Sequence, residues 1–469
     1  MIPIEKYLRY KETERFLESL VFAKPIPHFV ASKHQMQPKH PFGLERIRSF
    51  LNELGDPHRE NRYIHIAGTS GKTSTNYFTA RLFQAQGWRT GMFTSPHMAT
   101  FAEYFTINQQ LPPLKDVLTL IEQAKPQIDQ EYEQKALGVI SYSEFLLAMA
   151  LQYFAAQQVD YVALEAFLGG RYDATNVIEQ AAVSIITNIG LDHTHLLGET
   201  LPEIAAHKVG IVKPGCPLIT AEQRPDILEI FRQAARQAET TVQVLGKDFR
   251  IARVKTGTEM TVFDYTSENG SYRELTTPMC GGYQARNAAL AIRALEIVAD
   301  HTGTPLHEDA LRQGLASTMI PVRYEKVEDD PLVILDGAHN PDKLVQLVSY
   351  LQSRFQPDEV IFVCGFTSGK TPEQMFQAML PVSRTFYLTR VLLGYREDEE
   401  PRYLKSVLTA LDPGVKAVIA LDPFAALDQA MEDARQQKKV VCVAGSLYLA
   451  AHLRQRWYPE HTLLRWEDD

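Results

Sequence analysis

Short apolar runs recur along the chain, each followed by a stretch of helical texture. The first group is "YIHIAG" (63–68), "RTGMFT" (89–94), "VDYVALEA" (159–166), "AVSIITNIG" (182–190) and "CPLIT" (216–220). A later group is "LVILDG" (332–337), "EVIFVCG" (359–365), "RTFYLT" (384–389), "KAVIA" (416–420) and "KVVCVAG" (439–445). Between them, "TSTNYFTARLFQAQG" (73–87) and "SEFLLAMALQYFAAQ" (143–157) have the patterning of helices. Strands that are apolar almost throughout, with helices between them, predict α/β architecture with parallel sheets covered on both faces.

The texture changes over 242–278, where residues alternate and Asn269–Gly270 carries a turn signal, so a β-hairpin insert is expected there. The alternation of strand and helix restarts after "STMIPVRYEKVEDDP" (317–331). These breaks divide the chain into residues 1–319 and 320–469, a larger and a smaller α/β domain.

Composition narrows the class. The chain has 469 residues, 45% of them hydrophobic and 22% charged, with a net charge of −9. That balance fits a soluble globular protein and disfavours a general nucleic-acid binder. Four scattered cysteines without CxxC spacing suit a reducing compartment. With no signal-like or membrane-spanning stretch in view, a cytoplasmic enzyme without membrane or nucleic-acid partners is expected.

Chemistry concentrates at strand ends. "IHIAGTSGKTSTNYF" places Gly68, Thr69, Ser70, Gly71, Lys72, Thr73 and Ser74 between a strand and a helix. That is the context of a phosphate loop: glycines for close approach, helix amides and a lysine for phosphate, hydroxyls for magnesium. The long form of the motif has a further upstream glycine where this chain has Ile66. Glu165 ends one strand, and His193 follows the next, so the two are expected at adjacent strand ends, able to share a magnesium ion. Taken singly, His193 reads equally as a capping or core histidine, and capping of the next turn is the lesser alternative for Glu165. Arg171 and Asp173 are expected to pair and fix the loop after Glu165. Lys208 lies among Ile204, Val209 and Ile211. It is either a snorkelling surface lysine or a buried amine with a lowered pKa. The pentapeptide "TSGKT" recurs in "GFTSGKTPEQ", where Lys370 is either a substrate-side cation or part of a solvated turn.

Together these blocks resemble the folylpolyglutamate synthase and dihydrofolate synthase family of the Mur ligase superfamily. The resemblance also runs through "TSPHMATFAEYFTIN", "LEAFLGGRYDATNVI", "GGYQARNAALAI", "PVRYEKV", "LDGAHNP" and "AGSLYLAAHLR", in order, over nearly the whole chain. It implies an N-terminal P-loop-type Mur ligase central domain and a C-terminal Rossmann-like domain, with the active site in the cleft between them. It implies an ATP-dependent ligase that makes an acyl phosphate on a folate carboxylate and joins it to glutamate, as a monomer. By the same resemblance, the loop around Lys72 holds ATP, and Thr73, Ser74, Ser95, Glu165 and His193 supply candidates for magnesium. Lys208 matches a lysine that becomes carbamylated and binds a second magnesium. Gln284 and Asn287 match adenine-side positions, while Arg323, Asp336 and His339 match ribose and phosphate positions of the second domain. Lys72, Glu165, His193 and Lys208 are thus the expected catalytic set. Ser70, Thr73, Ala166–Phe167, Tyr283 and Phe105 depart from the family pattern, and Tyr283 and Phe105 bear on the acceptor. A related ligase acting on another carboxylate, such as a cell-wall precursor, is the alternative.

Overall fold

The computed structural model describes residues 3–22, 42–134, 137–257, 259–392 and 397–466. The chain forms two compact units. One contains Met1–His97, Phe101–Met319 and Leu464–Asp469, the other Met98–Thr100 and Ile320–Leu463.

In the first unit, seven strands form one sheet: β1 (Tyr63–Ala67), β2 (Thr90–Phe93), β3 (Phe105–Ile107), β4 (Tyr161–Glu165), β5 (Val183–Ile186), β6 (Leu218–Thr220) and β7 (Val242–Val244). Their order is β3-β2-β4-β1-β5-β6-β7. The ladders are parallel except that β3 runs antiparallel to β2. Both faces of β4 are covered. Val162 and Leu164 belong to one core cluster, while Ala163 packs with Ala80 and Met92 in another. That double burial is why these strands read as apolar runs rather than alternations. The helix Tyr142–Ala156 starts with a capping box between Ser141 and Glu144. The same Glu144 is held by buried Arg46, 2.7 Å away, tying this helix to the helix Phe42–Glu53. The backbone amides of Leu114 and Lys115 donate to the carbonyls of Arg465 and Trp466, at 2.7 and 3.2 Å.

The β insert differs from the hairpin expected over 242–278. β7 is an edge strand of the large sheet, its Val242 aligned with Leu218 of β6. The separate sheet has three antiparallel strands, β8 (Arg250–Thr256), β9 (Thr261–Thr266) and β10 (Ser271–Thr277). Asn269–Gly270 lies in the turn between β9 and β10. Arg293, on the helix Gly282–Thr302, fastens this turn by donating to Asn269 (2.6 Å) and Glu268 (2.5 Å), and it also donates to Glu296 of its own helix (3.0 Å).

The second unit has six strands: β11 (Glu325–Asp329), β12 (Leu332–Leu335), β13 (Val360–Cys364), β14 (Thr385–Leu388), β15 (Lys416–Ile419) and β16 (Val440–Ala444). Their order is β11-β12-β16-β13-β14-β15, parallel except for β11 against β12. β13, β14 and β16 are buried along their whole length. Among the described residues, no helix is long and apolar enough to cross a membrane.

Candidate active site

The loop after β1 is built to leave helix amides available. Gly71 is the N-cap of the helix Lys72–Ala85 and has φ 85°, which favours glycine. A side chain there would also meet Asn287, whose Oδ1 lies 2.6 Å from the position a Cβ would take. Thr75 makes the first helical bond, back to Gly71. The amides before it are therefore free of intrahelical partners. A strap from β5 fixes the loop. The Thr69 amide donates to the Asn188 carbonyl (3.0 Å), the Ser70 amide to Asn188 Oδ1 (2.9 Å), and the Thr187 hydroxyl to the Ser70 carbonyl (2.6 Å). Thr69 Oγ1 also donates to the Gly190 carbonyl at 3.1 Å and lies 2.9 Å from the Gly190 amide. Lys72 folds back, its ammonium 3.2 Å from the Gly68 carbonyl.

Glu165 ends β4 and is 2% exposed. Thr73 donates to one carboxylate oxygen at 2.8 Å and Thr94 to the other at 2.6 Å. Thr73 thus links the phosphate-loop helix directly to the carboxylate, and Ser74 is buried in the same helix. Thr94 was not anticipated from the sequence. Its only signal is its place at the end of "RTGMFT", just before half-buried Ser95. In the loop after Glu165, the expected Arg171–Asp173 pair is replaced by another arrangement. Arg171 is exposed, whereas Asp173 is buried and accepts from the Leu168 amide (2.5 Å) and from the Thr175 amide (2.9 Å) and hydroxyl (2.6 Å). A carboxylate can enter this interior because backbone donors surround it. Burial nevertheless raises its pKa above the ordinary value.

Lys208 is buried rather than snorkelling, and its ammonium lies 2.8 Å from the Gly68 carbonyl. Lys72 and Lys208 therefore converge on one carbonyl oxygen. Burial first, and the neighbouring Lys72 charge second, bring the Lys208 pKa down to about 7. Gly170 makes this packing possible, since a Cβ there would sit 2.7 Å from the Lys208 carbonyl. His193 does not occupy a neighbouring strand end to Glu165. β1 separates β4 from β5 in the sheet, so the two strands flank the phosphate loop instead. His193 comes seven positions beyond the end of β5, with φ 50° and its side chain 46% exposed. It caps the short helix Thr194–Leu197, and its amide donates to Asp192 at 3.0 Å.

The helix Gly282–Thr302 packs on the phosphate-loop helix. It carries buried Gln284 and Asn287, joined by a 3.0 Å bond from Asn287 Nδ2 to Gln284 Oε1. In the second unit, Arg323 donates to the Val322 carbonyl at 3.0 Å. Asp336 follows β12, accepts from the Tyr324 and Ala338 amides at 2.8 Å each, and has its pKa raised by burial. His339 lies 2.7 Å from the Gly337 carbonyl, and burial lowers its pKa to about 3. Lys370 precedes a helix that begins at Pro372 with Thr371 as N-cap, so it stands outside the helix that Lys72 opens in the first copy.

Among the described residues no three His, Cys, Asp or Glu side chains cluster as a ready-made metal cage. The donors around Glu165 are instead a carboxylate and hydroxyls. Such hard oxygen donors suit magnesium, which keeps waters and substrate phosphates in its shell.

The Mur ligase middle domain family matches residues 66–295, and the dihydrofolate synthetase C-terminal domain family matches residues 320–455. The folylpolyglutamate synthase of Lacticaseibacillus casei is 35% identical over 413 residues, covering 87% of this chain and 93% of that protein. The dihydrofolate synthase/folylpolyglutamate synthase of Bacillus subtilis is 31% identical over 417 residues, covering 88% and 94%. The Mycobacterium tuberculosis folylpolyglutamate synthase complexed with ADP and AMPPCP superposes with a TM-score of 0.84 at 27% identity, over 96% of this chain and 99% of that one. The chain belongs to the folylpolyglutamate synthase and dihydrofolate synthase family of Mur ligases.

Proposed function

We propose that this protein is an ATP-dependent ligase that activates a folate-type carboxylate and joins it to glutamate. The observation that carries the reading is the direct bond from Thr73, in the phosphate loop, to the buried carboxylate of Glu165. The names of the Lacticaseibacillus and Bacillus relatives support folate and glutamate as the substrates.

In this reaction a carboxylate oxygen of the acceptor attacks the γ-phosphorus of ATP, and the bond to ADP breaks. The product is an acyl phosphate. The amine of glutamate then attacks the acyl carbon, loses a proton to solvent, and expels phosphate as the amide forms. The free amides at the start of the Lys72–Ala85 helix bind phosphate oxygens. Lys72 exchanges the Gly68 carbonyl for the phosphates and stabilises the charge that develops during transfer. By the family resemblance, Gln284 and Asn287 are assigned to the adenine side, and Arg323, Asp336 and His339 to ribose and phosphate. Thr73, Ser95, Glu165 and His193 would hold magnesium, which supplies charge neutralisation at the phosphoryl oxygens. Lys208, neutral in good part near pH 7, can add to carbon dioxide and release a proton, giving a carbamate for a second magnesium. The same reading has the enzyme working in the cytoplasm as a monomer on small molecules, without a nucleic-acid or membrane partner.

The test is an acceptor panel. Purified protein is incubated with ATP, glutamate and folates, dihydropteroate or muramyl acceptors, and products are read by mass and by phosphate release. Glutamylated folate or dihydrofolate is the expected product. Amide formation on a muramyl acceptor alone would replace the folate reading, and phosphate release without any amide would remove the ligase reading.

A further inference from the structure

The strap that holds the phosphate loop is itself held from behind. Ile189, between Asn188 and Gly190, donates its amide to Glu222 Oε2 at 3.1 Å and receives Arg224 Nη2 on its carbonyl at 2.5 Å. Glu222 and Arg224 also grip each other, with Arg224 Nε 2.8 Å from Oε1 and Nη2 2.6 Å from Oε2. Glu222 is 5% exposed and follows β6, its Oε1 further capped by the amides of Gln223 (2.9 Å) and Arg224 (3.0 Å). A carboxylate and a guanidinium are thus committed to both backbone groups of one residue. On either side of that residue, Asn188 and Gly190 hold Thr69 and Ser70. A bidentate pair of this kind fixes direction as well as distance.

We infer that Glu222 and Arg224 are positioning residues for nucleotide binding, acting through Ile189 and the Asn188–Gly190 strap on the phosphate loop. The nucleotide part of this inference rests on the ATP reading above. The pair does not touch phosphate; it removes the freedom of the strap, so the loop amides are already aimed before the nucleotide arrives. Preorganisation of this kind appears in the KM for the molecule bound by the loop.

The experiment compares Arg224→Met, Glu222→Gln and Arg224→Lys with the native protein. Arg224→Met is expected to raise the KM for ATP roughly tenfold, the scale of one charged hydrogen bond, with a smaller change for the acceptor. Arg224→Lys should recover part of that loss, because a single donor can still reach the Ile189 carbonyl. Combined with Asn188→Ala, Arg224→Met should add little further loss, since both changes release the same strap. Additive losses in that cycle would overturn the inference. Amide hydrogen exchange at Thr69 and Ser70, measured without nucleotide, should be faster in Arg224→Met and in Glu222→Gln. Native exchange rates in both variants would also overturn it. This arm reads the clamp even if the native protein makes no product with ATP, an outcome that would instead remove the ATP reading.

Discussion

At Glu165, each carboxylate oxygen receives a hydroxyl from a different element: Thr73 from the phosphate-loop helix and Thr94 from the end of β2. Replacing Glu165 by Ala takes away the carboxylate that accepts from both hydroxyls and leaves the two threonines to bond elsewhere. Product formation should fall about a hundredfold or more, on the scale of losing an electrostatic stabiliser of the transition state. Circular dichroism should stay unchanged, and turnover at the native rate would sink the role given to Glu165. His65, in the middle of β1, has a different consequence. It is buried, lies 2.9 Å from the Thr175 hydroxyl, and burial lowers its pKa to about 3. Unfolded, it takes a proton near 6.5; folded, it does so only near 3. The unfolded state therefore binds more protons across that window. Its contribution to stability is present above about 6.5 and is lost as pH falls toward 3, with a slope of up to about 1.4 kcal/mol per pH unit. Denaturant titrations should show His65→Gln with a flatter acid limb than the native protein. Single residues were unevenly legible in the sequence. Lys72 and Glu165 stood out because chemistry-bearing side chains occur at the ends of apolar runs. Thr94, Asn188 and Arg224 did not, because their roles come from long-range hydrogen bonds that leave no local spacing.

Among the elements, the helix Gly282–Thr302 joins two tasks. Its first turns carry Gln284 and Asn287 against the phosphate loop, and Arg293 further along holds the β9–β10 turn. Arg293 and Glu296 have side chains only 2% and 0% exposed, and Glu296 also accepts from the Tyr265 hydroxyl at 2.7 Å. Burial already raises the Glu296 pKa. Arg293→Met would leave that carboxylate buried without its cation, a change that costs about 3–5 kcal/mol. Chemical denaturation should detect a loss of that size in the transition of the first unit, and a change below about 1 kcal/mol would mean that the carboxylate is held by its hydroxyl donors alone. The long apolar strands and their parallel pairing could be read from the sequence, since burial on both faces writes an uninterrupted apolar run. β3 and β11 could not. β3 has only Phe105–Ile107, and β11, "EKVED", is a largely polar edge strand whose identity depends on its neighbour β12. The extent of the β insert is hidden for a similar reason: Val242–Val244 is too brief to reveal that it continues the large sheet.

Across the whole molecule, the repeated pentapeptide separates spelling from structure. In the first unit Lys72 opens a helix behind Gly71, while in the second unit Lys370 precedes Thr371, the N-cap of a helix that opens with Pro372. Calorimetric titration should give one bound ADP per chain. Lys72→Met should weaken that binding, and Lys370→Ala should leave it unchanged; two equivalents would restore the second copy as a nucleotide site. The hydrogen bonds from Leu114 and Lys115 to Arg465 and Trp466 carry a consequence for synthesis. The chain leaves the first unit after Met319 and comes back to it at Leu464. A ribosome therefore delivers the whole stretch Ile320–Leu463 before it releases the residues that complete the first unit. Until then, the helix Leu114–Gln134 lacks the Arg465 and Trp466 carbonyls that receive its first two amides, and a nascent chain carries that unfinished helix start for the entire translation of its second unit.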